Sequence, residues 1–220
     1  NNGATGSIGT GELIINAGAF ELRKDGNFDF TNDISGAGAF QKLFAGTVTT
    51  LSGNKDGHTG QTDIFAGTLK GGGTNVFGAN SAYNIVTGAN LDLGGFDQAI
   101  GALSGAGNII DTVGFGTLTS SNTGTALFSG VISGTMGFTK AGAGTLQLSG
   151  VNTYTLNTRV EGGVLALAGA GSISDSRSIV VLAGAAFDIS GFSGGFTSVQ
   201  DINLNGTGEI RLGGKFLSAL

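Results

Sequence analysis

The sequence predicts an all-β solenoid. Three observations carry that prediction: apolar residues recur at a period of two in very short segments, runs rich in glycine separate those segments, and long stretches of the chain repeat internally. Helices are excluded because glycine, at 44 of 220 residues, recurs too often for a helical stretch and no 3.6-residue apolar period develops. A hydrophobic fraction of 40% against 11% charged residues rules out disorder. Collagen is ruled out by the absence of proline and of a three-residue glycine register.

Alternation is clearest at residues 13–15, 20–22, 28–30, 91–93, 146–148, 165–167, 187–189, 202–204 and 210–212, each with one inward apolar pair. The residue between the pair belongs to the opposite face, so Asp29, Asp92, Gln147, Ala166, Asp188, Asn203 and Arg211 are expected to face solvent. Runs at 53–60, 71–73 and 120–124 supply the tight corners. The 15 phenylalanines against 2 tyrosines suggest rings stacked in a dry interior.

Internal repetition separates a solenoid from a sandwich. At an offset near 98 residues Ile34 matches Ile132, Phe40 matches Phe138, Lys42 matches Lys140, and Gly46 with Thr47 matches Gly144 with Thr145. Residues 88–93 likewise match 184–189, and 103–109 match 204–210. The expected organisation is one β-helix segment over residues 1–220, with internal repeats at approximately 26–110 and 124–212. At about twenty residues per coil roughly ten coils fit, which at about 4.8 Å per strand makes a rod of roughly 50 Å.

Function classes narrow in the same way. A net charge of -5 with ten scattered basic residues argues against nucleic acid as a partner. No apolar run approaches the roughly 18 residues of a direct membrane span, and no charged-then-apolar leader opens the chain, so a fragment of a longer protein is expected. Zero cysteines fits either a reducing compartment or export of an unfolded chain.

Asp29 with Asp33, or Asp92 with Asp97, could approach the carboxylate spacing of a glycosidase, but they read as solvated outward or corner groups. Arg159, Arg177 and Arg211 are too scattered to serve a lyase. His58, the one histidine, reads as an exposed corner residue without a triad context. Zinc lacks ligands, and no calcium loop or phosphate loop occurs. The T-x-T pairs Thr47/Thr49, Thr117/Thr119 and Thr153/Thr155 are too irregularly spaced for an ice-binding rank. No catalytic, cofactor-binding or metal-binding residue is nominated, and no cofactor is expected.

Residues 137–167, GFTKAGAGTLQLSGVNTYTLNTRVEGGVLAL, closely resemble the passenger-associated transport repeat of autotransporters, of the form GxGxLxLSGxNTYxGxTxVxxGxLxL. The matching positions are Gly142, Gly144, Leu146, Leu148, Ser149, Gly150, Asn152, Thr153, Tyr154, Thr158, Val160, Gly163, Leu165 and Leu167, with Leu156 and Asn157 departing where glycine is usual. An imperfect copy covers 46–69, with residues 54–58 in place of the Asn-Thr-Tyr element. Residues 88–107 look like the stretch that follows such repeats.

The resemblance implies a right-handed parallel β-helix from type V secretion, displayed at the surface of a Gram-negative bacterium, outer-membrane anchored or released. It also implies a C-terminal translocator β-barrel in the same precursor, outside this segment. It favours export as the reason for the missing cysteines. The expected function is a structural stalk and adhesin, not an enzyme, whose coil stacking assists secretion. A host-surface or matrix receptor and self-association are the partners to test. A polysaccharide-active enzyme and an ice-binding solenoid are the alternatives.

Overall fold

The computed structural model describes residues 9–193, 196–198, 201–214 and 217–219. Every strand pairing among them is parallel. The strands collect into sheets of ten, seven and six strands, with two further two-stranded pairs. No helix occurs among the described residues. The chain is a parallel β-solenoid of about ten turns, as its alternation and repetition predict.

The ten-stranded sheet takes one strand from each turn, beginning at Ala19, Ala39, Thr62, Tyr83, Leu103, Thr125, Thr145, Val164, Ala186 and Glu209. From there the chain passes to the seven-stranded sheet, as from Leu103–Gly105 to Asn108–Asp111, then to the six-stranded sheet at Thr117–Ser121, and back at Thr125–Phe128. Strands this short are stable because those inside the stack find backbone partners in the turns on either side. Corners follow the same rule: Ser149 N donates to Phe128 O, and Ala168 N donates to Leu148 O.

Period-two alternation sends one row of each strand into the core. In the ten-stranded sheet Ala126, Leu146, Leu165, Phe187 and Ile210 are successive register partners, with Phe128, Leu148 and Leu167 forming the second inward column. In the seven-stranded sheet Leu69, Leu91, Ile109 and Ile132 stack likewise. Near the start of the described chain the filling is aromatic. Phe20 and Phe40 stack at 5.8 Å, and Phe30 meets both edge-on. At the far end Leu204 is 48% exposed, since no described strand stacks on Asp201–Leu204.

Residues related by the 98-residue offset lie on different sheets. Phe40 and Lys42 belong to the ten-stranded sheet, whereas Phe138 and Lys140 belong to the six-stranded one. Leu91, in the seven-stranded sheet, corresponds to Phe187 in the ten-stranded sheet. The offset is therefore not a whole number of turns. The similarity records a strand-and-corner unit that each side of the solenoid can accept.

Two outward assignments need correction. Asp92 and Ala166 occupy outward positions but are buried, at 2% and 8% exposure. Asp92 is covered by Lys70, whose Nζ lies 3.6 Å from its carboxylate, and by Thr112, whose hydroxyl donates to it at 2.7 Å. Asp29, Asn203 and Arg211 are exposed as expected.

Candidate functional site

The motif-bearing segment runs through Gly137–Ala141, Thr145–Leu148, Thr153–Tyr154, Thr158–Val160 and Val164–Leu167, visiting all three large sheets. Its polar residues tie one turn to the next. Asn152, 1% exposed, accepts at Oδ1 from Ile132 N and donates through Nδ2 to Gly150 O and Ser172 O, each near 3 Å. One side chain thus satisfies backbone groups on three successive turns. Gly150 is required because a Cβ there would run into the carbonyl oxygen of Gly130 in the turn beneath. Gly142 has φ 75°, a conformation that L side chains rarely adopt.

Lys140 points inward. It has no acidic partner among the described residues, and its Nζ donates to three corner carbonyls, Ala141 O at 2.6 Å, Gly142 O at 3.0 Å and Gly162 O at 3.1 Å. Lys42 does the same with Phe44 O, Thr47 Oγ1 and Ala66 O. Burial pushes both ammonium groups down to about 8.

A second element is a buried hydroxyl chain. Tyr154 OH is hydrogen-bonded to Thr158 Oγ1 at 2.6 Å, and Thr158 to Ser176 Oγ at 2.7 Å, with the Tyr154 ring 6.2 Å from that of Phe138. The same arrangement recurs with a different cap. Lys55 Nζ donates to Thr62 Oγ1 at 3.0 Å, Thr62 is hydrogen-bonded to Ser81 Oγ at 2.8 Å, and the ammonium lies over the ring of Phe40. Lys55 is completely enclosed, and burial lowers its pKa to about 7.

His58 completes this cluster and corrects the expectation of an exposed corner residue. It is 0% exposed, donates from Nε2 to Gly38 O at 2.9 Å, and places Nδ1 3.2 Å from Ser81 Oγ. Burial and the charge of Lys55 lower its pKa to about 4, against the opposing hydrogen bond to Gly38. With Ser81 already donating to Gly60 O, the His–Ser contact closes a structural network between two fully buried side chains.

The acidic pairs weighed for hydrolysis serve the backbone or the surface. Asp33 accepts from Asn54 N, Asp97 from Thr117 N, and Asp92 from Gly94 N and Thr112. Asp29 is exposed. Arg159 and Arg211 form exposed pairs with Glu161 and Glu209. No group of three or more potential metal ligands occurs among the described residues. Of the T-x-T pairs, Thr47 and Thr49 are buried, while Thr117 and Thr119 lie in a different sheet from Thr49, so the three pairs form no common rank.

Two surface features carry no sequence motif. Asp111 accepts at Oδ1 from the backbone of Gly95, Val113 and Gly114 and at Oδ2 from Gly116, all between 2.8 and 3.2 Å. The corner it organises projects Val113 and Phe115, 66% and 77% exposed, with Phe115 at φ 73°. The second feature is a groove of about 490 Å³ along the corners that lead from the ten-stranded to the seven-stranded sheet, flanked by the exposed Phe65. Outward polar residues and an exposed aromatic leave no periodic signature, so alternation does not reveal either feature.

The passenger-associated transport repeat family matches residues 138–167, the segment held by Lys140, Asn152 and Tyr154. The adhesin BmaC autotransporter of Brucella suis biovar 1 (strain 1330) is 35% identical over 175 residues, which is 76% of this chain. The chain belongs to the autotransporter passengers. It spans 5% of the length of that Brucella relative. No solved structure matches the chain. Within this passenger segment the family's fixed polar positions are thus the ones that join consecutive turns, and its fixed glycines stand where a corner abuts the carbonyl below.

Proposed function

We propose that this chain is part of a non-enzymatic adhesive stalk at the surface of a Gram-negative cell, its precursor carrying the C-terminal barrel that translocates it. The observation that carries the adhesive reading is the similarity, across three quarters of the chain, to a protein named an adhesin. The continuous parallel stack supports the stalk reading, since each turn buries its inward side chains only against neighbouring turns.

Stacking also gives the passenger a role in its own export. A turn emerging outside the cell finds a template of unpaired backbone groups on the previous turn, and docking removes apolar side chains such as Leu146 and Leu148 from water. Burial of each such side chain contributes roughly 1.5 to 3 kcal/mol, so outward movement is favoured over return.

The test of adhesion is binding of the purified segment to a panel of matrix proteins, glycans and copies of itself, with glycan cleavage followed in the same wells. Saturable binding without cleavage is expected. Cleavage would refute the non-enzymatic reading, and absence of any binding would refute adhesion by this segment.

A further inference from the structure

We propose that the corner groove beside Phe65 is a carbohydrate subsite that takes a neutral, linear glycan. The proposal rests on the adhesive reading and gives it a ligand class.

The groove exists because three successive corners carry small residues. Gly67 and Gly88 leave its floor without side chains, while the Phe65 ring, 40% exposed, forms one wall. Its volume of about 490 Å³ falls in the range of small-molecule sites. An exposed aromatic wall offers a face on which the C–H side of a sugar ring can pack, and it is the only aromatic in the lining.

Polar groups run along the groove in register with the turns. Thr68 and Asn90 line it as register partners, and Asn108, on the next strand, lies beyond it. Asn108 Nδ2 donates to Asn90 Oδ1 at 3.2 Å, and Asn90 Nδ2 donates to Thr68 Oγ1 at 3.4 Å. That ladder uses one amide hydrogen of Asn90 and leaves its second, and the Thr68 hydroxyl proton, for a ligand. The exposed Thr87 adds a further hydroxyl. Strands repeat every 4.7–4.9 Å or so, which is comparable to the length of one pyranose unit, so a β-linked or extended chain laid along the axis passes the apolar Val48 and meets Thr68 and Asn90 at the next two steps.

Charge sets the class. No Asp, Glu, Lys or Arg lines the groove. The nearest ammonium, Lys42, is 1% exposed and turned inward onto Phe44 O, Thr47 Oγ1 and Ala66 O, so it cannot recognise a sulfate or carboxylate at the surface.

The experiment is titration of the purified segment with cellohexaose, chitohexaose, maltohexaose and a heparin hexasaccharide, read by calorimetry and by saturation-transfer NMR. At least one neutral hexasaccharide should bind saturably and the heparin fragment should not. Phe65→Ala and Asn90→Ala should each weaken that binding about tenfold or more without loss of the β circular dichroism signal, while Phe115→Ser at the other apolar corner should leave it unchanged. Binding of heparin alone, binding to none of the four, or wild-type affinity in both groove variants would overturn the subsite. The same variants displayed on cells separate the two readings. If cells adhere and Phe65→Ala cells adhere equally, adhesion stands and the groove falls; if cells never adhere yet the segment binds the hexasaccharide, the reverse holds.

Discussion

Lys55 Nζ lies 4.8 Å above the centre of the Phe40 ring, fully enclosed and without an acidic partner among the described residues. Against Phe138 the corresponding place is taken by Tyr154, whose hydroxyl caps a Thr–Ser pair just as the Lys55 ammonium does. Tyrosine fills the position with a neutral group; lysine brings a proton that the interior disfavours.

Stability is therefore expected to depend on pH in two windows. The folded pKa of Lys55 is lowered from its ordinary value to about 7, so between pH 7 and 10.5 the unfolded chain holds the proton that the native chain gives up. Stability rises with pH across that window, by an amount on the order of a few kcal/mol. His58, lowered to about 4, makes stability fall as pH drops from 6.5 towards 4. Thermal melts from pH 4 to 10 check this: Lys55→Met should raise the melting temperature most at pH 6 and reduce the alkaline rise, leaving above pH 8 the part that Lys42 and Lys140 contribute, and His58→Gln should flatten the acid fall. A wild-type melting temperature constant from pH 7 to 10 would contradict the assignment of Lys55.

Asn152 is expected to be the most sensitive polar position of the motif. Asn152→Ala leaves Ile132 N, Gly150 O and Ser172 O without their side-chain partner in a buried corner. Leaving buried groups unsatisfied costs roughly 2 to 4 kcal/mol in total. Urea denaturation should show that loss in midpoint, whereas Asn203→Ala on the exposed outer face should shift it by no more than about 0.5 kcal/mol.

The Asp111 corner gives a contrasting pair. Asp111→Ala removes the acceptor shared by four backbone N–H groups, and hydrogen exchange at Gly95, Val113, Gly114 and Gly116 should accelerate together. Phe115→Gly, by relieving φ 73° at an exposed side chain, should stabilise the chain by about 1 kcal/mol. Independent exchange at the four amides would show that the carboxylate does not hold them as a unit.

Most of the fold was legible in the sequence because a solenoid writes its period into every strand. Leu146 and Leu148, or Leu91 and Leu93, sit inward as alternation dictates, and Gly150 stands at a corner. What alternation could not show was the fate of polar residues at inward phase. Lys42 and Lys140 follow a phenylalanine by two positions and so share its direction, yet their role as corner clamps depends on carbonyls brought close by other turns. His58 and Asp92 were misjudged for a related reason. Each is covered by groups about twenty residues away in sequence, such as Gly38 and Thr112, and local pattern carries no record of that covering. The groove is hidden in the same way, being the sum of three small corners.

Stacking is proposed both to extend the passenger and to draw it outward. The most direct test is surface display of this segment fused ahead of an autotransporter barrel, with an epitope at its outermost end and the double variant Leu146→Asp/Leu148→Asp compared with the wild type at equal expression. Surface epitope should fall sharply in the variant while periplasmic precursor accumulates, because two carboxylates at 0% exposed positions stop the turn from docking. Undiminished display, with the variant segment shown to be unfolded by surface protease digestion, would contradict the claim that stacking drives export.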